Sequence, residues 1–145
     1  MTKEESKKQK SKEKSTKKIG SLSYPVGDFL IRVKNAALAY GKEIEVDKTK
    51  LIFSVAKVLK EEGFIDEIKQ DGEKLLLKLT YKKKEPLIMG LKIVSKPGLR
   101  IYKDVKAIEK VKGPFLFIIS TPKGVISSRQ AVKLRVGGEV IAKIW

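Results

Sequence analysis

What most restricts the fold of this chain is the way its apolar residues change spacing along the sequence. Over residues 25–40, Val26, Phe29, Leu30, Val33, Ala37 and Tyr40 recur at three and four positions, the spacing of one helix face. Pro25 suits the first helical turn, where a missing N–H leaves no bond unmade. After Gly41 the period drops to two in Glu43-Ile44-Glu45-Val46, which predicts a strand, and Asp47 stands where an N-cap would accept from the amides that follow. Leu51, Ile52, Val55, Val58 and Leu59 form a second helical stripe, stopped by Gly63 in the C′ position. Residues 64–69 and 75–82 then read as strands around Asp71-Gly72, a hairpin turn signal. The order α-β-α-β-β predicts a small sheet backed by two helices.

The pattern breaks at Lys82-Lys83-Lys84-Glu85-Pro86, a basic, proline-containing stretch that reads as a linker. Beyond it lie short strand-like runs at 87–89, 91–94 and 99–102, punctuated by the turn Lys96-Pro97-Gly98. Residues 116–121 are nearly all apolar and rich in β-branched side chains, as in a buried strand. Ser127 with Gln130 forms a capping box that opens a helix through about Leu134, and Gly137-Gly138 turns into residues 139–144. The expected architecture is α/β of the α+β kind. Two small packed domains compose it: an α-β-α-β-β unit over 21–83 and a β-rich unit with a short helix over 84–145. Residues 1–20 stand apart. The first eighteen hold eight lysines, three glutamates and no aromatic or branched aliphatic side chain, too little apolar surface to offset chain entropy, and they read as a disordered basic tail. Such a tail is either a solubilising leader or a polycation adding salt-sensitive affinity for nucleic acid.

Charge narrows the function. With 33 Lys+Arg against 17 Asp+Glu the formal charge is +16, a self-repulsion that a polyanionic partner relieves. Only Arg32, Arg100, Arg129 and Arg135 are arginines. Lysine is a hydrated point charge suited to phosphate oxygens, so backbone and shape recognition are favoured over the reading of base edges. The absence of cysteine and histidine removes disulfides, thiolate metal sites, the commonest general base and every Ser-His or Cys-His nucleophile pair. No glycine-rich phosphate loop of a nucleotide-hydrolysing or redox enzyme is present either. The expectation is a cytoplasmic, non-catalytic protein that needs neither cofactor nor metal, with no membrane span and no small-molecule substrate.

Three blocks carry a more specific signal. They are Pro25-Val26-Gly27-Asp28-Phe29-Leu30-Ile31-Arg32-Val33-Lys34-Asn35-Ala36; Ser95-Lys96-Pro97-Gly98-Leu99-Arg100-Ile101-Tyr102; and Ser120-Thr121-Pro122-Lys123-Gly124 with Gly137-Gly138-Glu139-Val140 and Trp145. In this order and spacing they resemble the small-subunit ribosomal protein eight family in its bacterial form, over roughly residues 22–145. The resemblance implies an rRNA-binding protein of the small ribosomal subunit that binds the central domain of the rRNA, stabilises its fold during assembly, and lies beside other ribosomal proteins such as small-subunit protein five. It implies rRNA contacts by Ser120, Thr121, Lys123 and Gly124, with Ser95, Lys96, Arg100, Tyr102 and Glu139 around them, and a second contact surface at Arg32, Lys34 and Asn35. Two departures from the family pattern stand out: Pro122 replaces a loop hydroxyl, and Tyr24 stands where an acidic residue is usual. A rival reading, a general nucleic-acid-condensing protein, uses the same lysines without RNA specificity. Metal-dependent nuclease chemistry is a third.

Overall fold

In a computed structural model of the chain, which describes residues 24–111 and 113–145, the first helical stripe becomes α1 (Pro25–Leu38). The expected basic tail lies outside the described residues. Pro25 occupies the first turn, and Val26, Phe29, Leu30, Val33 and Ala37 are buried. Tyr40 leaves the stripe: the helix ends at Leu38, and Tyr40 takes a left-handed φ of 59° with its side chain exposed. Strand β1 (Glu43–Asp47) follows, then α2 (Lys50–Glu61). The N-cap of α2 is Thr49, whose Oγ1 accepts from the Ile52 amide at 3.1 Å. Asp47 comes two residues too early, because its backbone is committed to pairing in the sheet. Leu51 is exposed, while Ile52, Val55, Ala56, Val58 and Leu59 are buried and Gly63, at φ 92°, follows the C-cap as expected.

Strands β2 (Ile65–Asp71) and β3 (Lys74–Leu79) form the anticipated hairpin across Gly72-Glu73, and the first sheet runs β1-β3-β2, antiparallel throughout. The stretch expected to be a linker is instead a small hairpin of β4 (Tyr81–Lys82) and β5 (Glu85–Pro86), turned by Lys83-Lys84.

The second sheet contains β6 (Leu91–Ile93), β7 (Tyr102–Lys103), β8 (Leu116–Thr121), β9 (Gly124–Ser127) and β10 (Gly138–Ile144). Its order is β6-β10-β8-β9, with β7 pairing the start of β10 and β6 its end. Residues 87–89 form no strand in this sheet; the amides of Met89 and Gly90 donate to the Trp145 carbonyl. Between β7 and β8 lies α3 (Val105–Glu109), capped by Asp104, whose carboxylate accepts from the Ala107 amide at 2.9 Å. Helix α4 (Ser128–Leu134) is capped by Ser127 as expected.

Strand β8 explains its own composition, because both its faces are buried. On one face Leu116 and Ile118 join a cluster containing Phe29, Leu30, Leu59, Leu75, Leu77, Leu91 and Ile144, so α1, α2 and both sheets share one core. On the other, Phe117 and Ile119 meet Ile108, Ala131 and Val140 beneath α3 and α4. Buried side chains of this size stabilise by about 1.5 to 3 kcal/mol each. The polar end of β8 is therefore anchored from both sides.

Candidate nucleic-acid interface

At that polar end, Glu139 of β10 stands between Ser120 of β8 and Tyr102 of β7 in the strand register. Laterally paired residues point to the same face of a sheet, so the three side chains form a row across three strands. Arg100 joins it from the preceding loop. Its Nη1 donates to Glu139 Oε2 at 3.1 Å, and its guanidinium lies 5.5 Å from the centre of the Tyr24 ring. The Tyr24 hydroxyl in turn donates to the Ser95 carbonyl at 2.7 Å. Burial pushes the Tyr24 phenol above its ordinary pKa against the pull of the Arg100 charge, with Glu139 adding to the rise. The hydroxyl is therefore a proton-bearing donor at neutral pH. Tyr24 also fixes Gly27, since a Cβ there would come within 2.4 Å of its ring.

Two tight turns flank the row. In the β8–β9 turn Thr121 pairs with Gly124, leaving Pro122 and Lys123 exposed at the tip. The buried Thr121 hydroxyl donates to the Gly124 carbonyl at 2.8 Å and accepts from the Lys123 amide at 3.0 Å. Position 122 contributes no N–H to this closure, so proline fits the first tip position. The second turn is closed by reciprocal backbone bonds of 2.9 Å between Lys96 and Leu99, with Gly98 at φ 86° beside Pro97, the geometry of a type II turn. Ser95 at its base is fully buried, and its Oγ accepts from the Ile101 amide at 2.9 Å.

The residues singled out in the sequence thus take different places. Lys96, Arg100, Tyr102, Lys123 and Gly124 are exposed, and Ser120 and Glu139 are half-buried at the centre. Ser95 and Thr121 are buried, with their hydroxyls spent on shaping the turns. Arg32, Lys34 and Asn35 lie on α1 outside this group; Arg32 lines a separate groove of about 320 Å³ beside Phe29 and Asp47. Sequence reasoning missed Tyr24 as a brace, Leu99 as an exposed apolar neighbour, and the part of Gly138, where a Cβ would fall 2.0 Å from the Ser120 carbonyl oxygen. A glycine pair before a strand was the one signal available for the last.

The arrangement suits recognition of a surface. The recess among Tyr24, Arg100, Ser120 and Glu139 holds only about 60 Å³, far below the roughly 300 to 1,000 Å³ of small-molecule sites. Among the described residues no cluster of carboxylates could hold a metal ion, and no helix is long and apolar enough to cross a membrane.

Comparison with known proteins gives the family. The family described as Ribosomal protein S8 matches residues 24–145. A small ribosomal subunit protein uS8 from Nitratidesulfovibrio vulgaris is 42% identical over 125 residues, covering 86% of this chain and 99% of the relative. Proteins of the same name from Prochlorococcus marinus and Nostoc punctiforme are each 44% identical, covering 83% of this chain and 96% of the relative.

Proposed function

The chain belongs to the ribosomal protein S8 family of the small ribosomal subunit, and from that premise we propose that it binds the central domain of small-subunit rRNA directly and stabilises its fold during assembly. The observation that carries this reading is the ring of Lys96, Arg100, Tyr102 and Lys123, exposed around the Ser120–Glu139 row and held by two closed turns. The cations neutralise phosphates. The Tyr102 ring, 68% exposed, offers a stacking face to an unpaired base, and the Ser120 hydroxyl and the open backbone at Gly124 admit close contact with sugar and base edges. Glu139 acts through Arg100, whose fork it orients. Ser95 and Thr121 act through the turns they close.

In this reading residues 84–145 carry the main RNA surface and residues 21–83 brace it, with Arg32, Lys34 and Asn35 touching RNA or a neighbour such as small-subunit protein five. The protein works without catalysis, inside the ribosome. Competition between an irregular central-domain RNA loop and bulk duplex tests it: the loop displaces bound RNA at much lower concentration. Equal displacement by both would establish a general condensing protein instead.

A further inference from the structure

Lys83 and Lys84 hold φ angles of 55° and 67° between the paired residues Lys82 and Glu85. Both central positions of this two-residue turn are left-handed, a conformation that crowds a Cβ against the next carbonyl and normally selects Asn-Gly. Lysine meets neither preference. Strained backbone persists where its surroundings over-determine it, and it gathers at ligand-contacting sites. Here the surroundings are explicit. The Tyr81 hydroxyl donates to the Gly41 carbonyl at 2.5 Å, the Tyr40 hydroxyl donates to Glu85 Oε1 at 3.3 Å, and the Leu87 amide closes the open end of the hairpin on the Thr80 carbonyl at 2.9 Å. The hairpin is thereby fastened to the chain just past the C-terminal end of α1.

Lys82, Lys83 and Lys84 are all exposed, and none pairs with a described carboxylate. The nearest candidate, Glu85, is engaged by the Tyr40 hydroxyl instead. Three adjacent ammonium groups on this strained tip repel one another, and no ion pair among the described residues offsets that repulsion. They do match a row of phosphates, which needs point charges and no planar fork. We propose that the Lys82-Lys83-Lys84 tip is a further phosphate-binding site for the RNA backbone, separate from Arg32, Lys34 and Asn35 and a helix length of about 20 Å from the Ser120–Glu139 row. This rests on the RNA-binding reading above and adds a site to it.

The test is a salt titration of binding to a central-domain rRNA fragment by wild type, Lys83→Asn/Lys84→Gly, Lys82→Gln and Lys123→Ala. The double variant installs the preferred turn, so its melting temperature rises while its affinity falls. At 0.7 to 0.9 logarithmic units per phosphate contact, two lost contacts weaken binding roughly 25- to 60-fold at 0.1 M salt and flatten the slope by about 1.4 to 1.8, with the curves converging near 1 M. Lys82→Gln leaves the turn untouched and flattens the slope by about 0.7 to 0.9. Unchanged affinity and slope in both hairpin variants, with wild type binding and Lys123→Ala weakened, would overturn the lysine-tip site alone. Failure of wild type to prefer this RNA over bulk duplex would overturn both readings together.

Discussion

Replacing Gly138 by alanine isolates the close approach on which the row proposed to face RNA depends. The added Cβ would lie 2.0 Å from the Ser120 carbonyl oxygen, 2.9 Å from its carbon and 3.1 Å from the Thr121 Cα. Ordinary contact begins near 3.4 Å, so the overlap with the oxygen is well over 1 Å, and every atom involved is backbone. No rotamer relieves it; the ends of β8 and β10 must part. Overpacking of this kind costs about 1 to 3 kcal/mol, and loss of one or two ladder bonds between Glu139 and Ser120 adds roughly 0.5 to 1.5 kcal/mol each. The reduced freedom of the unfolded chain returns at most about 1 kcal/mol. The net destabilisation is about 3 kcal/mol, which for a domain of this size lowers the melting temperature by roughly 10 °C. Thermal unfolding followed by circular dichroism measures it, and RNA affinity falls in parallel because the Ser120 carbonyl and Thr121 move. Gly98→Ala is the control: nothing lies within 4 Å of its Cβ, and only its φ of 86° opposes the change, a cost of about 1 kcal/mol. A drop for Gly138→Ala no larger than that control would refute the steric reasoning.

Other perturbations separate shape from contact. Pro122→Ser leaves RNA binding equal or tighter, because it restores a hydroxyl and an N–H at the exposed tip, and a clear loss in filter binding would contradict the assignment of this loop. Tyr24→Phe removes the donor to the Ser95 carbonyl and costs about 1 kcal/mol in chemical denaturation; the ring stays under Arg100, so RNA affinity changes by less than about threefold. The Asp47–Lys74 pair is exposed, and the hydrogen bond from Lys74 holds the Asp47 carboxyl below its ordinary pKa while Asp47 raises that of Lys74. Its contribution is thus present from about pH 4 to about pH 10, lost below as Asp47 is protonated and above as Lys74 loses its proton. Asp47→Asn should flatten stability at the acid end of that window, and an unchanged acid limb in urea titrations at pH 2 to 5 would show that the pair contributes nothing.

The helices were legible because α1 and α2 are long enough for their period to show, and the β2–β3 hairpin because Asp71-Gly72 announces its turn. What stayed hidden depends on contacts between distant segments. Whether Asp47 or Thr49 caps α2 is decided by the register of β1 on β3, which no local pattern fixes. Helix α3 spans five residues, too few for a stripe, and β7 and β9 are shorter than the windows in which alternation is visible. The β4–β5 hairpin lacks glycine at its turn, so its lysines read as a linker. At the candidate site, the sequence marks the loop residues but not which of them are exposed and which are buried. Ser120, Glu139 and Tyr102 come together only because β10 pairs with both β7 and β8, and the hydroxyls of Ser95 and Thr121 brace the turns beside them through bonds to Ile101, Lys123 and Gly124.

The most direct test places a photo-reactive side chain at position 123, on the exposed tip of the β8–β9 turn, in protein assembled into small-subunit particles, and maps its crosslinks along the rRNA. A single cluster within the central domain is the predicted result. Crosslinks confined to other domains, or spread evenly along the RNA, would contradict the assignment of this turn as the rRNA contact.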